Sequence, residues 1–154
     1  MDKEKVLSRM MKQCSMREYC ISDISRKLAC VEGLLPGDRD EILTRLVEDG
    51  FLEENRYACA FARDKSSLNG WGSLKIKLAL QRKGIPARVI ESALLQVDTA
   101  KAQDKLSSLL LSKIKSLSGE TDPMAVRAKV FRYAMGRGYS YQDIIEVYDN
   151  IRRD

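Results

Sequence analysis

Residues 73–86 read Ser73-Leu74-Lys75-Ile76-Lys77-Leu78-Ala79-Leu80-Gln81-Arg82-Lys83-Gly84-Ile85-Pro86, and how they are read decides the fold. Leu74, Ile76, Leu78 and Leu80 alternate with Lys75, Lys77 and Ala79, which is the two-residue period of a half-buried strand. The same letters set Leu74 over Leu78 and Ile76 over Leu80, the four-residue spacing of a helix face. The ends decide between the two. Ser73 can cap a helix start, and Arg82 and Lys83 put cations at the negative end of a helix dipole. Gly84 then supplies the residue that most readily closes a helix in the left-handed region. The stretch is expected to be a helix, and Ile85-Pro86 opens another, with proline in its first turn.

Working outward, this unit returns. Lys83-Gly84-Ile85-Pro86 has a counterpart in Arg137-Gly138-Tyr139-Ser140, 54 residues on. Ile76 and Val130 each stand eight residues before their glycine, Leu80 and Ala134 four before, and Ile90 and Ile144 six after. Ile24, Leu28, Gly33 and Ile42 form a looser first copy, with a longer turn through Gly33-Leu34-Leu35-Pro36-Gly37. A helix precedes each copy, at 2–13, 54–67 and 100–117. Local punctuation agrees with helices. Ser15-Met16-Arg17-Glu18 has the form of a capping box, Gly50 that of a left-handed cap, and Asp122-Pro123 that of a capped start, while Ser140 opens the last helix. The expected fold is all-α: an elongated tandem array of three three-helix repeats, covering residues 1–52, 53–98 and 99–154.

The composition fits that expectation. The 154 residues include only 9 Gly and 3 Pro, too few for a chain of short strands and turns. There is no His, which removes imidazole catalysis, His-ligated zinc and His-based pH sensing. Cys14, Cys20, Cys30 and Cys59 are irregularly spaced and form no C-x-x-C pair, so buried reduced thiols are expected. No apolar run has the length of a membrane span, and Met1-Asp2-Lys3-Glu4-Lys5 does not resemble a secretion signal. A cytoplasmic location with no membrane contact follows as an expectation.

The charge is unevenly spread. Lys and Arg number 27 against 22 Asp and Glu, a net +5. Residues 1–50 carry a net −1, residues 51–98 a net +3 and residues 99–154 a net +3. Between Arg63 and Arg88, seven cations face Asp64 alone. Such clusters serve a phosphate backbone through counterion release, and they serve equally as solvated helix faces. Trp71, beside the cluster, can stack on a base, fill a partner's pocket or pack a helix junction.

Catalysis finds little support. Asp40-Glu41 and Glu53-Glu54 sit at expected helix starts, where negative charge is favoured without any chemistry. Gly70-Trp71-Gly72-Ser73 is too short for a phosphate loop and lacks its lysine. No nucleophile has a base at a motif spacing, and no Cys or carboxylate cluster has the spacing of a metal site. No cofactor is expected, and a binding protein is favoured over an enzyme.

These residues resemble the RecX family of bacterial recombination regulators. Asp49-Gly50-Phe51-Leu52-Glu53-Glu54-Asn55-Arg56-Tyr57-Ala58 is similar to that family's G-[FYL]-L-[DE]-[DE]-x-R-[FY]-A segment. Gly70-Trp71-Gly72-Ser73-Leu74-Lys75-Ile76 is similar to its G-[YW]-G-x-x-[KR]-I element, followed at the family spacing by Leu80 and Lys83-Gly84-Ile85. Arg17-Glu18-Tyr19 with Arg26-Lys27-Leu28 resembles its first-repeat run, and Phe131-Arg132-Tyr133 with Arg137-Gly138-Tyr139 its closing element. Cys20-Ile21 and Ser25 depart from the usual Ser and Glu of the first run, and Ser73-Leu74 replaces a start that usually contains proline.

The resemblance implies a modulator, usually an inhibitor, of the RecA recombinase. Such a protein lies in the groove of the RecA filament on single-stranded DNA and affects ATP hydrolysis, strand exchange and filament growth. It implies a monomer with weak direct DNA contact. Arg63, Trp71, Lys75, Lys77, Arg82 and Lys83 are the residues expected to form the contact surface for RecA and DNA. The alternative is a sequence-independent nucleic-acid-binding helical module.

Overall fold

The structure, a computed structural model, describes residues 2–153. Among those residues there are nine α-helices and no strand. They are α1 (Lys3–Met16), α2 (Ile21–Ala29), α3 (Pro36–Glu48), α4 (Glu54–Ser67), α5 (Ser73–Arg82), α6 (Ala87–Leu95), α7 (Thr99–Ser116), α8 (Pro123–Gly136) and α9 (Tyr141–Arg153). The ambiguous stretch is helical throughout α5, with Lys83 as its C-cap and Gly84 at φ +79° directly after. The amide of Ile85 donates back to the Leu80 carbonyl at 3.1 Å, so the glycine turn closes the helix by its own hydrogen bond.

The helices assemble into a tandem array of three three-helix repeats. Val6, Ile24, Leu28, Ile42 and Leu46 are among the buried side chains of the first core. Tyr57, Ile76, Leu80, Ile85 and Ile90 belong to the second. Leu106, Val130, Ala134, Tyr139 and Ile144 belong to the third. The positions that recur in the sequence coincide in burial. Ile24, Ile76 and Val130 are buried, as are Leu28, Leu80 and Ala134, and Ile42, Ile90 and Ile144. Each triplet thus sends equivalent apolar positions inward from the two helices that flank its glycine turn.

Helix ends differ from the sequence reading at three points. Ser15 is not a cap: α1 runs on to Met16, and the Ser15 hydroxyl donates to the Lys12 carbonyl at 2.6 Å. The capping box lies five residues later, where the Asp23 carboxylate accepts from the Cys20 amide at 3.4 Å. Four consecutive apolar or neutral side chains before Asp23 hid it. Pro86 is the N-cap of α6 rather than a residue of its first turn, and α5 is capped by Gly72 rather than Ser73. The cysteines are free thiols. Cys14 and Cys20 are buried and Cys59 half-buried, but Cys30 is exposed because it follows the last turn of α2. No helix among the described residues is long and apolar enough to cross a membrane.

The two joints between triplets are built differently. Second and third meet through α4 against α7 and through backbone. The Gly72 amide donates to the Arg137 carbonyl at 2.8 Å, and the Leu74 amide to the Gly138 carbonyl at 3.0 Å. The Arg137 guanidinium completes the seam by donating to the carbonyls of Asn69 and Gly70. First and second meet through side chains. Cys20 inserts into the second core, Arg56 pairs with Glu18 at 2.6 Å, and Lys83 pairs with Asp23 at 2.6 Å. The Ser22 hydroxyl also donates to the Lys83 carbonyl at 2.9 Å.

Candidate partner interface

The six residues expected to form the contact surface occupy three places. Trp71 and Lys75 share the elbow between α4 and α5. The indole is half-buried, edge-on to Phe61 at 6.2 Å, and its backbone amide donates to the Lys65 carbonyl. The Lys75 ammonium lies 4.5 Å from the ring centroid and that of Lys65 4.8 Å. Both are within cation–π range, so the ring, in the loop, lies between one cation from the last turns of α4 and one from the first turn of α5. Lys65 therefore belongs with this group. The sequence had counted it only as part of the charge run, because its six-residue distance from Trp71 matches no helical spacing.

Lys77 and Arg82 stand on α5, exposed, with no ion pair to another described residue. Leu74 and Leu78 are exposed on the same helix, at 52% and 54%. The apolar letters that made a strand plausible thus divide, with Ile76 and Leu80 in the core and Leu74 and Leu78 outside. An exposed apolar pair flanked by cations suits contact with a protein surface that carries negative charge.

Arg63 and Lys83 face the other way, into a cleft between the first and second triplets. Arg63 is exposed and pairs only with its neighbour Asp64 at 3.4 Å. Lys83 is engaged: its ammonium holds Asp23, whose side chain is 12% exposed. Burial opposes ionisation of Asp23 most strongly, but the Lys83 ammonium and the Cys20 amide outweigh it and hold the carboxyl below its ordinary value. Lys83 is therefore a tether between triplets as well as a cleft residue.

The cleft has a volume of about 1020 Å³. Met10, Val31, Tyr57 and Phe61 contribute apolar lining, and Arg9, Arg17, Arg26, Lys27 and Lys65 join Arg63 and Lys83 around it. Four of those seven cations come from the first triplet. Its near-neutral sum concealed them, because the sum does not say that Arg9, Arg17, Arg26 and Lys27 all turn toward one side. The signal available was the position of Arg26 and Lys27 in the last turn of a helix opposite α4.

The sequence and the fold both have relatives. A family model described as the second three-helix domain of RecX matches residues 54–94, which run from the start of α4 through most of α6. The regulatory protein RecX of Clostridium botulinum strain Eklund 17B is 32% identical over 158 residues, covering 95% of this chain and 73% of that protein. The one from Clostridium botulinum strain Alaska E43 is 30% identical over 156 residues, with the same coverage. The crystal structure of RecX from Lactobacillus salivarius superposes with a TM-score of 0.85 at 19% identity, covering 99% of this chain and 97% of that one. At that identity the likeness concerns fold alone.

Proposed function

The chain belongs to the RecX family of regulatory proteins, and on that premise we propose that it regulates the RecA recombinase by occupying the groove of the RecA filament on single-stranded DNA. The expected effect is inhibition of ATP hydrolysis, strand exchange and filament growth, exerted without catalysis by a cytoplasmic monomer. Three triplets at fixed intervals suit a filament, since a tandem array can touch successive protomers and gain avidity that one small domain lacks.

The observation that carries the reading is the Trp71 elbow. It presents an aromatic plate flanked by Lys65 and Lys75, beside the exposed Leu74, Leu78, Lys77 and Arg82 of α5. This surface lies within the segment that matches the family model. Large aromatic side chains and arginine are the residue types that dominate binding energy at interfaces, and this surface offers Trp71 and Arg82. The division of the chain into units at 1–52, 53–98 and 99–154 is part of the same proposal, and the three separate cores support it.

The experiment is a titration of the DNA-dependent ATPase of RecA with this protein at low and moderate salt. Inhibition that saturates at a fixed ratio to RecA is expected. An ATPase unchanged up to a stoichiometric excess overturns the reading.

A further inference from the structure

We propose that the cavity at the joint between the second and third triplets is a binding site for a small uncharged single-ring molecule that carries a hydroxyl group, of the phenol class. The cavity has a volume of about 170 Å³ and draws on both triplets. Ser66 of α4, Ile76 of α5 and Tyr139 of the turn between α8 and α9 line it and are buried. Trp71, Leu94, Val97 and Ala102 line it half-buried, and Ser73, Thr99 and Asp143 line it exposed. The buried residues thus give it a floor, the half-buried ones its walls and the exposed ones its mouth.

The floor is what points to a ligand. Tyr139 is 6% exposed, and its hydroxyl is buried with no hydrogen-bond partner among the described residues. A buried hydroxyl without a partner is destabilising, and native interiors rarely keep one. Packing does not account for the oxygen. The ring belongs to the third core, and a phenylalanine ring would fill the same space. Burial outweighs the nearby Arg137 guanidinium and pushes the ionisation of Tyr139 above the ordinary 10.0. The group therefore stays a neutral hydroxyl, able to donate and to accept.

The walls set the body of the ligand. Trp71, Ile76, Leu94, Val97 and Ala102 offer it aromatic and aliphatic surface. An apolar cavity of about 150 Å³ holds one benzene ring, so about 170 Å³ leaves room for a ring with one small substituent. Charge narrows the choice. Among the described residues no Lys or Arg lines the cavity, and Asp143 stands at its mouth, so an anion finds no cation inside and meets a carboxylate on entry. An ammonium gains little from the Trp71 ring, because the ammoniums of Lys75 and Lys65 already lie 4.5 and 4.8 Å from its centroid. An uncharged ring whose hydroxyl pairs with that of Tyr139 suits walls and floor together.

The site is independent of the RecA reading, and its test uses the full chain alone. Phenol is titrated into the isotope-labelled protein, and the indole N–H resonance of Trp71, the chain's only tryptophan, is followed by nuclear magnetic resonance. A saturable shift at millimolar phenol is expected. Toluene, of similar size without the hydroxyl, should bind about fivefold more weakly, the worth of one neutral hydrogen bond, and benzoate should not bind. Tyr139→Phe should reverse the order, with toluene binding at least as well as phenol, while the unfolding midpoint of the free protein stays the same or rises. Ala102→Leu, which narrows the walls, should abolish the phenol shift. If that variant fails to fold, Tyr139→Phe carries the test. The proposal is overturned by the absence of a saturable phenol shift, by toluene or benzoate binding as tightly as phenol, or by a full phenol shift in folded Ala102→Leu. An unchanged preference for phenol in Tyr139→Phe, or a lower unfolding midpoint there, overturns it too. So does tighter binding of N-acetyltyrosinamide, which would assign the cavity to a side chain of a partner protein. None of these results touches the RecA ATPase titration.

Discussion

Gly72 rests its bare α-carbon against the carbonyl of Gly138, so close that a Cβ there would overlap the Gly138 backbone. Gly138, at φ +97°, lies in turn against the backbone and Cβ of Lys75. The elbow that carries Trp71 and Lys75 is thus positioned by a backbone contact with the third triplet.

Gly72→Ala should therefore destabilise the protein by about 2 kcal/mol or more, since a backbone cannot move aside as a side chain can. Gly84→Ala is the contrast. Gly84 has φ +79° and open space around its α-carbon, so only the conformational cost of about 1 kcal/mol applies. Denaturant unfolding of both variants checks the order. A Gly84 variant that loses more than the Gly72 variant refutes the account.

Asp23→Asn should cost about 1 to 2 kcal/mol, because it leaves the half-buried Lys83 ammonium without its partner. The pH dependence has a definite sign. The Asp23 carboxyl is held below its ordinary 3.8, so its contribution is fully present above that value and is lost as pH falls through the lower folded-state value. Acid unfolding should begin earlier in wild type than this pair alone would allow only if other carboxylates dominate. Subtracting the Asp23→Asn curve isolates the window below 3.8.

Glu54 shows the opposite sign. Burial raises its carboxyl above the ordinary 4.5, the effect of Glu53 and Asp23 adds to it, and one oxygen is buried without a partner. The folded chain holds this proton more tightly than the unfolded chain, so the penalty is fully present above the folded-state value and fades as pH falls toward 4.5. Glu54→Gln should raise stability near pH 7 by a few tenths to about 1 kcal/mol, and the gain should vanish in acid. Unfolding at two pH values tests both halves.

Lys75→Glu with Lys77→Glu should weaken RecA inhibition by about tenfold while leaving helicity intact, since neither side chain is in the core. The half-inhibiting concentration in the ATPase titration gives the answer, and an unchanged value moves the contact away from the elbow.

Trp71 is the chain's only tryptophan, so its emission reports on the elbow directly. Addition of RecA filament should change its intensity or wavelength, and Trp71→Phe should keep the fold while weakening inhibition several-fold. Emission indifferent to the filament would place the contact elsewhere.

Much of this architecture was legible in residue spacing. The glycine-centred unit placed Ile76, Leu80 and Ile90 beside Val130, Ala134 and Ile144, and all six are buried. Helix ends were less legible, because caps depend on one hydrogen bond and several residues can offer it. Ser15 had the right type, and Asp23 had the right geometry. The surface was least legible. Arg63 and Lys83 belong to one charge run yet turn away from Lys77 and Arg82, since a run of charges along the chain wraps around two helices and an elbow. Arg17 and Arg26 lay in a segment whose total charge is slightly negative, and totals carry no direction.

The unequal joints have a consequence for how the molecule responds to its medium. The seam at Gly72 and Arg137 is made of backbone hydrogen bonds and packed atoms, which added salt hardly reaches. The joint at Glu18 and Arg56 is open to solvent at 28% and 46%, and counterions compete for it. Raising ionic strength therefore does more than dull attraction to an anionic partner. It weakens an ion pair between the first and second triplets while the hydrogen-bonded seam between the second and third stays as it is, so one change of solvent acts unequally on the two ends of the array.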